Sequence, residues 1–199
     1  MSRTRIIVPH RGLVAAKTRL APVLDHDERI ALARTLLVRV LEVARQAGDD
    51  VVVITPAAEL EPIVAEAGAR LAVQRGMGLN AGLDQAREAA EADGVDRLVV
   101  LHGDLPNLAA DDVQALVAAA SGEPSVGIAP DRLGTGTNGL GLAPPGIIGF
   151  RFGAGSFAAH VADARAAGVE PSIVARPGLA FDLDTPQDLA RWLELGSAA

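Results

Sequence analysis

Apolar residues follow two rhythms along the chain. Short runs rich in β-branched side chains recur at Arg5–Val8, Val51–Thr55, Ala69–Gln74, Arg97–Leu101 and Ser125–Ala129, and these read as strands. Between them the apolar positions step by three and four. Asp27–Gln46 carries Ile30, Ala33, Leu37, Val40, Leu41 and Ala44 on that spacing. Ala57–Ala67, Leu79–Ala92 and Ala109–Ala120 repeat it, and each predicts a helix. Helix signals return at Gly155–Ala167 and Thr185–Leu195. From Asp131 to Gly155 glycine and proline break both rhythms, which predicts a loop-rich or β-hairpin insertion. Strand–helix alternation predicts right-handed βαβ units and a mostly parallel sheet covered on both faces, a three-layer α/β/α fold. The chain reads as one domain, 1–199, with the insertion at about 131–155.

Composition narrows the function. With 199 residues, 49% of them hydrophobic and only 3% aromatic, the core is expected to be Val, Leu, Ile and Ala. The net charge of −7 argues against a nucleic-acid or anionic-membrane surface, yet leaves room for a local cluster of cations around a small anion. There is no cysteine, so thiolate chemistry is excluded. No signal peptide or membrane span is read, and the expectation is a soluble cytoplasmic protein. Lys17 is the only lysine; every other Lys/Arg position is arginine.

In an open parallel sheet, ligands bind beyond the carboxyl ends of the strands. Attention therefore falls on Pro9–Arg19, Arg75–Asn80, His102–Asn107 and Asp131–Asn138. Arg11, Lys17 and Arg19 follow the first strand and read as a triphosphate cradle or as a solvated basic loop. No GxxxxGK occurs, so this is not a P-loop. In "LHGDLP", Asp104 sits just past a strand, as a Mg²⁺ ligand or a turn aspartate. His102 reads as a turn or packing residue. In "FDLDTPQDL", Thr185, Pro186 and Asp188 form a helix start. Asp182 and Asp184 precede it and share one face if extended, as a second metal ligand or as two solvated acids. "RFGAGSF" leads into a helix, where Ser156 caps the helix or meets an anion. "GTGTNG" matches GxGxxG by letter, but no helix opens within it and no Rossmann cofactor site is assigned. Its remaining readings are a surface loop or an anion-wrapping loop using Thr135 and Thr137.

"VPHRGLVAAKTRL", "GLNAGL", "LHGDLP", "APDRLGTGTNGL", "RFGAGSFAAH" and "FDLDTPQDL" occur in this order between residues 8 and 189. The set resembles the 2-phospho-L-lactate / phosphoenolpyruvate guanylyltransferase family of coenzyme F-420 biosynthesis, whose fold is that of GT-A-like nucleotidyltransferases. The resemblance implies GTP and a phosphorylated three-carbon acid as substrates, with diphosphate as co-product. It implies Mg²⁺ on Asp104 with Asp182 or Asp184, and the acid on Thr137, Gly153 and Ser156. It places Lys17 and Arg19 over the GTP phosphates, so that Lys17, Arg19 and Asp104 are the catalytic set. Leu79 and Asn80 match the turn that approaches the base. One departure is His10-Arg11, where the family more often has an apolar residue and lysine. Arginine keeps the charge but changes reach and fork geometry, so Arg11 is a less secure phosphate ligand than Lys17.

The chemistry agrees with the residues. A phosphate acceptor is already ionised at neutral pH, so no general base is required, and none stands out. Two other readings are a guanylyl- or cytidylyltransferase for a molybdopterin or sugar phosphate, and a nucleotide-binding module without catalysis. A homodimer is compatible with each reading, and no nucleic-acid or membrane partner is expected.

Overall fold

The computed structural model describes residues 2–196. Seven strands form one sheet in the order β3-β2-β1-β4-β6-β5-β7. They are β1 (Thr4–Pro9), β2 (Asp50–Thr55), β3 (Arg70–Val73), β4 (Arg97–Leu101), β5 (Ser125–Pro130), β6 (Thr137–Ala143) and β7 (Ser172–Ile173). β6 runs antiparallel to both β4 and β5, and the other pairings are parallel. The helices are α1 (His26–Ala44), α2 (Glu61–Glu66), α3 (Leu79–Ala92), α4 (Ala110–Ala119), α5 (Ser156–Ala166), α6 (Pro177–Ala180) and α7 (Pro186–Gly196). None among the described residues is long and apolar enough to cross a membrane.

Strand alternation divides the core. Ile6 and Val8 of β1 pack with Leu37 and Leu41 of α1, Val64 of α2 and Leu116 of α4. Ile7, between them, faces the other way and packs with Leu83 and Ala86 of α3 and Ala164 of α5. Helices therefore cover both faces, as the three-layer reading expects. The core departs from the expected aliphatic composition in one respect: Phe150, Phe152 and Phe181 are also buried.

The sequence pattern differs from the structure at one place with a clear cause. Ala57–Ala67 is not one helix. A 3₁₀ turn at Ala58–Leu60 precedes α2, because Pro62 has no N–H to donate and is tolerated only in a first helical turn. The segment from Asp131 to Gly155 takes the β-hairpin alternative: it supplies β6, a fully buried strand that turns back antiparallel on β5 and lies between β4 and β5. Its sequence, TNGLGLA, hides the strand signal. Leu140 and Leu142 face the α3–α5 side, while Gly139 faces α4, where a Cβ would lie 2.7 Å from Leu116 Cδ2. An added Cβ would force the buried Leu116 side chain to shift, and glycine avoids this at the cost of β-propensity.

The chain goes from β1 to β2 and β3 on one side, then crosses back to place β4 on the other side of β1. The order reverses between β1 and β4. A crevice opens beyond the carboxyl ends of strands at such a switch point.

Candidate active site

The loop leaving β1 carries Lys17 into that crevice. Among the described residues, Lys17 is the only non-glycine residue with positive φ, at 54°. Left-handed backbone is unfavourable for a residue with a Cβ and persists where its surroundings impose it. Two contacts do so. The following turn drives Leu20 into a small apolar cluster with Leu36 and Leu183. The lysine side chain, 5% exposed, donates to Asp104 Oδ2 at 2.8 Å and Asp184 Oδ1 at 3.0 Å.

Asp104 follows β4, and its backbone carbonyl accepts from Leu183 N–H at 3.1 Å. That bond brings the Phe181–Asp184 segment beside Asp104. Burial alone would lower the Lys17 ammonium, but Asp104 and Asp184 outweigh it and hold it above its ordinary value. Burial alone would raise Asp104, but Lys17 outweighs it and holds the carboxyl below the usual aspartate range. Both partners are thus ionised at neutral pH. Asp182 behaves oppositely: burial, then the nearby Asp104 charge, pushes it up. Its hydrogen-bond partner is Asn138 Nδ2 at 3.4 Å, and the same amide donates to Leu179 O at 2.9 Å.

Arg11, Lys17, Arg19, Leu79, Asp104 and Asp184 line one cavity of about 430 Å³. Sequence reasoning had named all six. Arg11 and Arg19 are exposed. Arg19 is 74% exposed, and its 3.7 Å approach to Asp184 contributes about 0–1 kcal/mol. The Lys17 bridge differs in kind: its ammonium is buried and would be left stranded without the carboxylates, a loss that reaches about 3–5 kcal/mol when both members are buried and is smaller where, as here, the aspartates open to the cavity.

The remaining predicted residues stand apart from the cavity wall. Asn80 spends both ends of its amide on Phe152, donating to its carbonyl at 3.1 Å and accepting from its N–H at 3.0 Å. Thr137 and Ser156 are brought together and buried, the Thr137 N–H donating to Ser156 Oγ at 2.9 Å. Ser156 makes no cap: the N-cap of α5 is Gly155. Gly153 is exposed just before α5. Thr135 is no anion ligand here, because its N–H and hydroxyl both donate to Asp131. Thr185 and Asp188 form the expected helix start, and Asp188 also accepts from Arg132 at 2.6 Å.

Two residues missed at the sequence level complete the frame. His160 is fully buried, and its Nε2 accepts from Arg151 N–H at 3.0 Å. Burial pushes its pKa down to about 4, so the ring is neutral and its proton lies on Nδ1. Nδ1–H then donates to Thr137 Oγ1 at 3.0 Å, which leaves the threonine proton available as a donor. The signal was the spacing of Ser156 and His160, one helical turn apart on one face. Asn138 is the other; it binds His102 N–H through its carbonyl and Asp182 through its side chain. His102 packs its ring 5.4 Å from that of Phe152, in keeping with a packing residue, and lines the cavity.

Comparison with known proteins agrees with this frame. The family model for CofC-like guanylyl transferases matches residues 4–198. A phosphoenolpyruvate guanylyltransferase of Sphaerobacter thermophilus is 44% identical over 189 residues, covering 94% of this chain and 90% of that protein. A 3-phospho-D-glycerate guanylyltransferase of Phenylobacterium zucineum is 38% identical over 190 residues, covering 92% and 86%. A crystal structure named as a nucleotide-diphospho-sugar transferase from Desulfovibrio desulfuricans G20 superposes with a TM-score of 0.83 at 23% identity, covering 98% of this chain and 88% of that one; it speaks for the fold. With a lysine bridging two aspartates at the switch point of that fold, and with nearly the whole chain matched, the protein is a nucleotidyltransferase and belongs to the CofC-like guanylyl transferase family.

Proposed function

We propose that the protein transfers GMP from GTP to phosphoenolpyruvate, releasing diphosphate, as a Mg²⁺-dependent cytoplasmic enzyme of coenzyme F-420 biosynthesis. The carrying observation is the cavity in which Lys17 bridges Asp104 and Asp184 beside Arg11 and Arg19. The 44% identical relative named for phosphoenolpyruvate favours that acid over 2-phospho-L-lactate and 3-phospho-D-glycerate.

The acidic residues fit a hard cation. Asp104 Oδ1 is buried with no protein partner, and Asp182 is pushed up by burial and by its acidic neighbours. A divalent ion relieves both. Among the described residues no three His, Cys, Asp or Glu side chains stand grouped for a metal. Mg²⁺ commonly takes only one or two carboxylates and fills its shell with phosphate oxygens and water. Asp104 with Asp182 or Asp184 would hold it, and when bound it supplies charge neutralisation on the reacting phosphates.

The chain's own residues do the rest. Lys17 presents a compact charge to the α-phosphate, and Arg11 and Arg19 grip the departing diphosphate. Thr137, its proton set free by His160, donates to the acid near Gly153 and Ser156. The acceptor phosphate is ionised at neutral pH, so the protein's task is in-line positioning and charge stabilisation, without a general base. Diphosphate release from GTP with each acid tests the reading. Phosphoenolpyruvate-dependent release supports it, and no release with any of the three acids overturns it.

A further inference from the structure

His10 occupies a position where the resemblance provides no function, yet its geometry is tightly defined. Its backbone N–H donates to Ile54 O at 3.0 Å, extending the β1–β2 ladder by one residue. Its ring is held by the chain itself: the Gly12 N–H donates to His10 Nδ1 at 3.0 Å. That return requires Gly12 at φ +94°, where a Cβ would stand 3.0 Å from Ala57 Cβ. The ring also packs on the backbone of Gly103, at which an added Cβ would lie 3.5 Å from His10 Cδ2.

The contact to Gly12 decides the tautomer. Nδ1 accepts, so the ring proton is on Nε2. Burial pushes the imidazole down to about 4; Asp104 pulls it up, while Lys17 and Arg11 lower it further, and the ring is neutral at physiological pH. Nε2 has no protein partner among the described residues. His10 lines the same cavity as Arg11, Lys17, Arg19 and Asp104. A fixed neutral donor thus stands in a wall whose three cations select an anion.

We propose that His10 is a nucleotide-binding residue whose Nε2–H donates to a phosphate oxygen of the bound triphosphate. The inference rests on the reading of this cavity as a GTP site. The ring gives a hydrogen bond and transfers no proton. It adds direction at the end of β1 without adding charge to a site already holding Lys17, and so complements the exposed guanidinium of Arg11. A hydrogen bond from a neutral donor to a charged acceptor is worth roughly 10- to 100-fold in binding or turnover.

Two substitutions separate the two faces of the ring. His10→Asn keeps an acceptor near Nδ1 for Gly12 but has nothing at the Nε2 position. His10→Gln reaches that position with an amide N–H. The expected result is a fall of roughly tenfold or more in kcat/KM for GTP in His10→Asn, substantially restored in His10→Gln, with KM for the acid unchanged in both. Equal losses in the two variants, or none in His10→Asn, overturn the proposal. A measurement on the unmodified protein guards against a variant that fails to fold. In long-range ¹H–¹⁵N spectra of the histidine rings, His10 should show the Nε2–H tautomer, with its Nε2 and ring-proton signals moving when GTP and Mg²⁺ are added. An Nδ1–H tautomer, or a His10 ring unmoved at GTP saturation, overturns the inference while leaving the GTP site intact. Absence of GTP binding by the unmodified protein overturns the GTP reading itself and this inference with it.

Discussion

Lys17 Nζ stands 2.8 Å from Asp104 Oδ2 and 3.0 Å from Asp184 Oδ1, so one ammonium joins the loop after β1 to carboxylates 87 and 167 residues away in the chain. The ion pair is buried on the lysine side and opens to the cavity on the aspartate side. It is at once a structural clamp and a charge placed where a phosphate would arrive.

Replacement of that lysine should separate the two roles. Lys17→Arg keeps the charge but places a planar fork where a point charge fits, so the variant should fold and lose most turnover. Lys17→Met leaves Asp104 and Asp184 without their shared cation and should also lower stability, by less than the about 3–5 kcal/mol of a fully buried pair, because the two carboxylates are 25% and 40% exposed. Thermal unfolding and steady-state kinetics together check this. Normal turnover in Lys17→Arg would return the residue to a purely structural role.

Asp104→Asn should abolish Mg²⁺-dependent turnover and the stabilisation that Mg²⁺ with GTP gives against thermal unfolding. Asp182→Asn and Asp184→Asn should differ from each other, the greater loss marking the second metal ligand. Equal thermal stabilisation of Asp104→Asn and the unmodified protein by Mg²⁺ and GTP would remove Asp104 from the metal site.

Thr137→Val is close in shape and deletes one hydroxyl. It should raise KM for the phosphorylated acid by roughly tenfold while leaving KM for GTP unchanged. Equal effects on both substrates would argue that the buried Thr137–His160 contact only supports the fold.

His160 and His10 are neutral in the folded protein, burial having pushed both from 6.5 to about 4. The unfolded chain binds protons on these rings more readily. Stability should therefore fall as pH drops from 6.5 toward 4, with a slope of up to about 1.4 kcal/mol per pH unit for each fully protected ring. The depressed carboxyl of Asp104 adds its loss only below the ordinary aspartate value of 3.8. Melting temperatures across this range check the sign, and a flat profile between pH 6.5 and 4 would contradict it.

Much of the architecture was legible because its causes are local. Five strands and the main helices follow from periods of two and 3.6, and the switch point follows from their alternation. β6 was legible only as one of two alternatives, a hairpin or a loop, and its position was hidden because Gly139 answers to the distance of α4 and not to strand propensity. β7 and α6 are too short to carry a periodic signal. At the site, Lys17 stood out by rarity, and Asp104 and Asp184 by position after or before a regular element. The partners of Asn80 and Thr135 were not legible, because side chains that bond backbone or carboxylate groups leave no mark in a one-dimensional pattern. The roles of Asn138 and His160 depend on partners from other elements, at Asp182 and Thr137.

Mass spectrometry of the product formed from GTP, Mg²⁺ and an equal mixture of phosphoenolpyruvate, 2-phospho-L-lactate and 3-phospho-D-glycerate tests guanylyl transfer most directly. The predicted result is one dominant new species, phosphoenolpyruvate joined to GMP through a diphosphate bridge, absent in Asp104→Asn. Recovery of unchanged acids and GTP, or a guanylylated species that persists undiminished in Asp104→Asn, would contradict the account.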